Sequence, residues 1–248
     1  MLKVILVASG KGGTGKTSLT AGVGAALAQL GSKVLLIDGD CGLRNLDIVL
    51  GMSDRVVYSF ADVAGGAVPL ADAMACHPDM KTLYLLTAPV ALPALSERGM
   101  EQLAVQAEEA GFDYLLIDGP AGLPAELSFL AHIATQAIIV TSTDRVCVRG
   151  AERCARKLEE EYCIQRIRIL PDIALHLRTD MHNLRIFMDH LVTGHFHRTV
   201  GGNPTQIVSA QIHQHVVLCQ LFFICQQLQL QLFILGNGLA PRSGTGHR

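Results

Sequence analysis

The stretch Ser9-Gly10-Lys11-Gly12-Gly13-Thr14-Gly15-Lys16-Thr17 constrains this chain more than any other. It fits G-x-x-x-x-G-K-[ST], a loop whose glycines let successive backbone N–H groups aim at phosphate oxygens. A pattern of this length occurs by chance as a glycine-rich turn, so its context decides. The apolar run Lys3-Val4-Ile5-Leu6-Val7-Ala8 precedes it, and Leu19, Val23, Ala26, Leu27 and Leu30 follow at helical spacing, with Gly31 as a stop. A strand, a phosphate loop and a helix whose N-terminus adds its dipole are thus expected. Gly10, Lys11, Gly12, Gly13, Thr14, Gly15, Lys16, Thr17 and Ser18 form the candidate phosphate-binding set, with Lys16 reaching the β/γ-phosphates and the Thr17 hydroxyl binding Mg²⁺.

From residue 1 to about 169 apolar strands alternate with amphipathic helices, the pattern of an α/β domain whose mostly parallel sheet is covered on both faces. Strands are expected near 3–8, 33–38, 82–86, 113–118, 136–141 and 164–169. Helices are expected near 16–30, 45–50, 56–64, 69–76, 98–110, 125–133 and 145–161. The N-terminus shows no secretory signal pattern, which predicts a cytosolic chain. Seven cysteines without C-x-x-C spacing then read as reduced thiols. A formal net charge of −2 gives no global basic field for nucleic acid, although a local basic patch stays open.

Residues 170–248 form a second, atypical, His/Gln-rich region. Residues 171–248 contain no Lys, Glu, Trp or Tyr, yet hold eight of the ten histidines. Lys and Glu supply much of the surface of ordinary helices, so their loss argues against a standard α/β continuation. Three readings fit: an unusual domain, a disordered extension, or an out-of-frame translation, and composition favours the last. The run from Val216 to Leu235 approaches spanning length, but Gln220, Gln226, Gln227, Gln229 and Gln231 interrupt it, so no membrane span is assigned. His195 with His197 and His213 with His215 have metal-binding spacing without accompanying carboxylates or thiols, and are not read as a site.

Three further features surround the loop. Lys11 lies five residues before Lys16, and two such cations repel unless several phosphate charges share them; the plain alternative is a solvated loop lysine. Asp38-Gly39-Asp40 ends the second strand, where one carboxylate addresses the metal and the other the water attacking the γ-phosphate; Asp40 as a helix cap is the alternative. Ile117-Asp118-Gly119-Pro120-Ala121-Gly122 is an apolar strand that delivers Asp118 into a glycine-rich turn, where it is expected to bind Mg²⁺ through a water, and its glycines permit a γ-phosphate-dependent rearrangement.

These stretches, with Cys41-Gly42-Leu43-Arg44-Asn45-Leu46-Asp47 and Arg55-Val56-Val57-Tyr58, resemble the deviant Walker A ATPases of the ParA–MinD family, and within it the MinD-like septum-site-determining branch. The resemblance covers residues 1 to about 169 and implies a P-loop NTPase fold that uses ATP and Mg²⁺. It implies that Lys11 is the signature lysine reaching the partner's phosphates across an ATP-bound homodimer. Lys16, Thr17 and Asp118 match the phosphate and metal residues, Asp38 the companion carboxylate at the metal, and Asp40 the carboxylate orienting water; the catalytic set is thus Lys11, Lys16 and Asp40. The family's cycle implies ATP-dependent dimerisation, peripheral attachment to the cytoplasmic face of the inner membrane, recruitment of a septum inhibitor, and release on hydrolysis stimulated by an activating protein. Nucleic acid is not favoured as a partner. The related nitrogenase iron protein needs a cysteine close after the Asp118 turn, and none lies there.

The chain departs from the family at Arg168-Ile169-Leu170-Pro171-Asp172, where an Asn-containing adenine loop and further sheet are expected, so the sheet is expected to be incomplete at its C-terminal side. The basic amphipathic helix that ends family members is not matched by Leu239-Ala240-Pro241-Arg242-Ser243-Gly244-Thr245-Gly246-His247-Arg248. Two other functions fit less of the sequence: a ParA-type cargo or plasmid partition ATPase, or flagellar-number regulator, and a frame-shifted product without activity.

Overall fold

In the computed structural model the chain divides into two units, Met1–Asp172 and Ile173–Arg248. The structure describes residues 1–171, apart from 42–43, 92–94, 123, 125–127 and 143. The expectations for the His/Gln-rich region, including its histidine pairs and the run from Val216 to Leu235, lie outside the described residues.

The first unit runs β1 (Lys3–Ser9), α1 (Lys16–Gln29), β2 (Val34–Asp38), α2 (Leu46–Val49), α3 (Phe60–Ala64), α4 (Leu70–Ala73), β3 (Ala75–Cys76), β4 (Leu83–Leu86), α5 (Glu97–Glu109), β5 (Tyr114–Ala121), α6 (Ser128–His132), β6 (Gln136–Thr141), α7 (Arg145–Tyr162) and β7 (Ile167–Pro171). The sheet order is β3-β4-β2-β5-β1-β6-β7. Every pairing is parallel except that of the short edge strand β3 with β4. The strands are almost wholly apolar because both faces are covered. On one face Val4, Leu6, Ala8, Leu35, Ile37, Leu115, Ile117, Ala137 and Ile139 join a core with Phe60, Met100, Leu103, Phe129, Leu130, Ala151 and Leu158 from α3, α5, α6 and α7. On the other lies α1, so close that a Cβ on Gly24 would stand 2.7 Å from the Leu36 side chain.

The chain crosses from β1 to β2 by way of α1, skipping one position that β5 later fills. This topology sets the loops after β1, β2 and β5 side by side. In register, Val7 pairs with Asp118, and Asp38 pairs with Asp118. Residues 80 positions apart therefore meet at the carboxyl edge of the sheet, where open parallel sheets bind ligands.

Three elements differ from the periodicity. The helix expected over 56–64 starts at Phe60, because Ser59 forms a capping box: its hydroxyl accepts from the Asp62 amide while the Asp62 carboxylate accepts from the Ser59 amide. The helix expected over 69–76 stops at Ala73; Met74 is extended, and Ala75 and Cys76 pair with Leu85 and Tyr84. His77 secures that hairpin, its Nδ1 accepting from the amides of Asp79 and Met80 at 3.1 and 3.2 Å. The last strand begins at Ile167 rather than 164, since α7 runs to Tyr162 and Cys163 caps it in the left-handed region at φ 55°. Among the described residues β7 pairs only with β6.

Candidate functional site

The phosphate loop takes the shape its glycines allow. Gly13 and Gly15 have φ of 74° and 83°, in the left-handed region where a side chain is strained. Gly15 also caps α1 with no side-chain hydrogen bond, and the first turn of α1 carries no acidic residue. Its first amides are thus left for an external acceptor, and the helix dipole makes that acceptor an anion. Gly10 is required for a different reason: a Cβ there would fall 2.3 Å from the carbonyl carbon of Gly150 in α7. The Ser9 hydroxyl closes the loop's start by donating to Lys11 O at 2.7 Å.

Thr14 tests whether the loop fits a polar ligand. Its side chain is buried, yet its Oγ1 has no hydrogen-bond partner among the described residues. An orphaned hydroxyl inside a loop of glycine amides fits a phosphate.

Lys16, Thr17 and Asp118 come together as expected. Asp118 is 1 % exposed. Burial pushes its pKa up to about 7, with the Asp38 charge acting in the same direction; the hydroxyls of Thr17 and Thr20 and the Lys16 ammonium pull the other way. A buried carboxylate hydrogen-bonded to a threonine hydroxyl is a donor set for a hard divalent cation such as Mg²⁺.

Asp38 is also buried, which raises its pKa, while the amides of Leu46 and Asp40 oppose that rise. Its Oδ1 accepts from Asp40 N and its Oδ2 from Leu46 N, both at 3.0 Å, so the carboxylate organises the loop after β2. It faces Asp118 through the sheet register. Asp40 is half-buried at the rim, its amide held by Asp38. Lys11 and Ser18 are exposed, and among the described residues the Lys11 side chain forms no ion pair. Cys41 beside Asp40 has its thiol pushed up to about 11 by burial and by the charges of Asp38 and Asp40, so it stays protonated.

Sequence reasoning passed over two residues here. Thr20, fully buried on α1, has its Oγ1 3.0 Å from Lys16 O and 3.3 Å from Asp118 Oδ1. Its place four residues after Lys16, one turn along the same helix face, was the available signal. Thr87, after β4, accepts from Arg44 Nε at 3.0 Å. No local pattern announces that contact, because it joins residues 43 positions apart.

Comparison with known proteins agrees with this geometry. The ParA family model, described as NUBPL iron-transfer P-loop NTPase, matches residues 1–190. The septum site-determining protein MinD of Thermotoga maritima is 42 % identical over 160 residues, which are 64 % of this chain and 59 % of that protein. The chain therefore spans less than two thirds of that relative's length. Among solved structures, the MinC:MinD cell division protein complex of Aquifex aeolicus matches with a TM-score of 0.62 and 37 % identity, covering 68 % of each chain. MinD of Pyrococcus horikoshii OT3, complexed with Mg-ADP, matches with a TM-score of 0.59 and 32 % identity, again over 68 % of each chain. A family model spanning most of the sequence, and a fold and phosphate loop shared with solved MinD structures, lead to one conclusion: the chain belongs to the ParA family of P-loop NTPases and, within it, to the MinD group.

Proposed function

We infer that this chain is a Mg²⁺-dependent ATPase that serves as a dimerisation switch in placing the division septum. The observation that carries the reading is the convergence of Lys16, Thr17 and Asp118 at the uncapped N-terminus of α1, beside the unpartnered Thr14 hydroxyl. In this reading the amides of residues 12–17 and the Lys16 ammonium would hold the phosphates, and Thr17 and Asp118 would hold Mg²⁺, with Asp38 behind them. The bound Mg²⁺ would neutralise charge developing on the β/γ-oxygens. Asp40 orients the attacking water, and Lys11, exposed and without an ion pair among the described residues, is free to reach the phosphates of a second copy.

The septum role rests on the MinD relatives and on the solved MinC:MinD complex. From these we propose a septum inhibitor as partner, an ATPase-activating protein, an ATP-bound homodimer, and attachment to the cytoplasmic face of the inner membrane in that state. The switch is a population shift: the γ-phosphate favours the closed dimer and its loss releases it.

Phosphate release from ATP by the full chain, with and without Mg²⁺, tests the enzymatic core. Slow Mg²⁺-dependent hydrolysis, abolished in Lys16→Ala and Asp40→Ala, is the expected result. Undiminished hydrolysis in both variants would overturn it. Vesicle flotation of the full chain with ATP or ADP tests the membrane step, and equal recovery in both states would sink it.

A further inference from the structure

Arg44 holds a conformation that its own side chain makes unfavourable. Its φ is 48°, in the left-handed region, and apart from Cys163 at the end of α7 no other non-glycine residue among those described lies there. Such a backbone persists only where the surroundings over-determine it. Three contacts do so here. The Arg44 amide donates to Asp40 O at 3.4 Å, Nε donates to Thr87 Oγ1 at 3.0 Å, and the guanidinium stands 3.6 Å from Asp47 Oδ2.

Both side-chain anchors are rigid. Thr87 is 2 % exposed, its carbonyl accepts from Phe60 N at 2.9 Å, and it bridges to Ser59 in the capping box of α3. Asp47 is buried in α2, and its Oδ1 accepts from Ile48 N at 2.8 Å. Among the described residues the Asp40 side chain has no comparable anchor: Asp38 holds its amide from one side and Arg44 its carbonyl from the other.

We propose that Arg44 is a positioning residue for Asp40. Its guanidinium ties the backbone that carries the water-orienting carboxylate to the end of β4, and the left-handed conformation at Arg44 is the geometry that lets one residue reach both. The inference rests on the reading of Asp40 given above. It concerns the hydrolytic step and not nucleotide capture, because neither Thr87 nor Asp47 belongs to the phosphate loop. A group displaced by about 1 Å from its productive position costs roughly a hundredfold in rate.

The test compares kcat, KM for ATP and Mg²⁺-dependent binding of a fluorescent ATP analogue in the full chain. Arg44→Ala and Thr87→Val should each lower kcat by about ten- to a hundredfold with KM and analogue affinity unchanged. The double variant should be no slower than Arg44→Ala alone, since Thr87→Val cuts only a tether that Arg44→Ala already removes. Arg44→Gly keeps the left-handed backbone at no steric cost but has no guanidinium, and is expected to be as slow as Arg44→Ala. If Arg44→Gly hydrolyses ATP at the wild-type rate, loop shape alone matters and the proposal falls. It also falls if Arg44→Ala is fast while Asp40→Ala is slow. If Asp40→Ala itself is fast, the reading of the site fails and takes this inference with it. Should Arg44→Ala not fold, Arg44→Lys, which retains the charge facing Asp47 without the Nε donor, and Thr87→Val carry the same comparison.

Discussion

Thr14 and Asp118 both sit where an unliganded chain would not choose to place them. A buried hydroxyl without a partner costs about 1–3 kcal/mol, so Thr14→Val should stabilise the nucleotide-free chain by roughly 1 kcal/mol while weakening ATP binding. Urea unfolding with and without MgATP reads both effects. Asp118 carries the larger conflict. Its carboxyl has an ordinary value of 3.8 and a folded value of about 7. Between those two values the folded state binds more protons than the unfolded chain. Stability contributed by this group is therefore lost as pH rises through the window, and the full penalty stands above pH 7. At about 1.36 kcal/mol per unit the upper limit is roughly 4 kcal/mol. Nucleotide-free Asp118→Asn should accordingly be more stable than wild type at pH 8, with the difference shrinking toward pH 4, as unfolding midpoints at the two pH values would show. Saturating MgATP should reverse the order at pH 8 if Asp118 holds the metal as proposed, because the variant lacks that charge. These two residues were legible as a motif but not as a cost, since burial is a property of the packed sheet and no spacing rule contains it.

The short elements flanking the parallel strands are each held by one or two side chains. The capping box of α3 positions Ser59 against Thr87, and the Ser59 hydroxyl and amide hold the Asp62 carboxyl below its ordinary value. Ser59→Ala should cost about 1 kcal/mol, measured by thermal unfolding. The pattern Ser-x-x-Asp at residues 59–62 announces that helix start; helical periodicity alone set it at residue 56 and so ran past the cap. The β3–β4 hairpin was hidden for another reason. Two residues of strand give no alternation to read, and Ala73, Met74, Ala75 and Cys76 are as compatible with a helix as with an edge. His77 settles it by accepting two amides at Nδ1, which requires the neutral imidazole. Burial lowers its pKa below the ordinary 6.5, and Asp79 partly opposes this. The unfolded chain then binds the proton more readily, so this contribution is complete above pH 6.5 and is lost as pH falls through the lowered folded value. His77→Gln should flatten the acid limb of the stability profile below pH 6.5, read from unfolding midpoints between pH 7 and 5.

At the scale of the molecule, the class of fold and the position of the phosphate site followed from strand and helix periods plus one loop, because parallel sheets bind ligands at one edge. The order of the strands and the tethers of Thr20 and Thr87 did not, since each depends on which distant segments become neighbours. Binding at that edge should stabilise the whole first unit: MgATP at about a hundred times its dissociation constant adds roughly 2.7 kcal/mol. A rise in unfolding midpoint with MgATP, absent in Lys16→Ala, checks that the loop and not the surface binds it. The strand order has a further consequence, in the time domain of synthesis. The place between β1 and β2 is filled by β5, which ends at Ala121, whereas β2 ends at Asp38. At ordinary ribosomal speeds of about 5–20 residues per second, some 4 to 17 seconds separate their emergence. For that interval the nascent chain carries a finished phosphate-loop sequence between two apolar strands whose shared neighbour is missing, although β2 can pair with β4 once Leu86 has emerged. Asp118, the carboxylate proposed above for Mg²⁺, arrives on the same strand that closes this gap, so on that proposal nucleotide capture and burial of the central sheet become possible at the same moment.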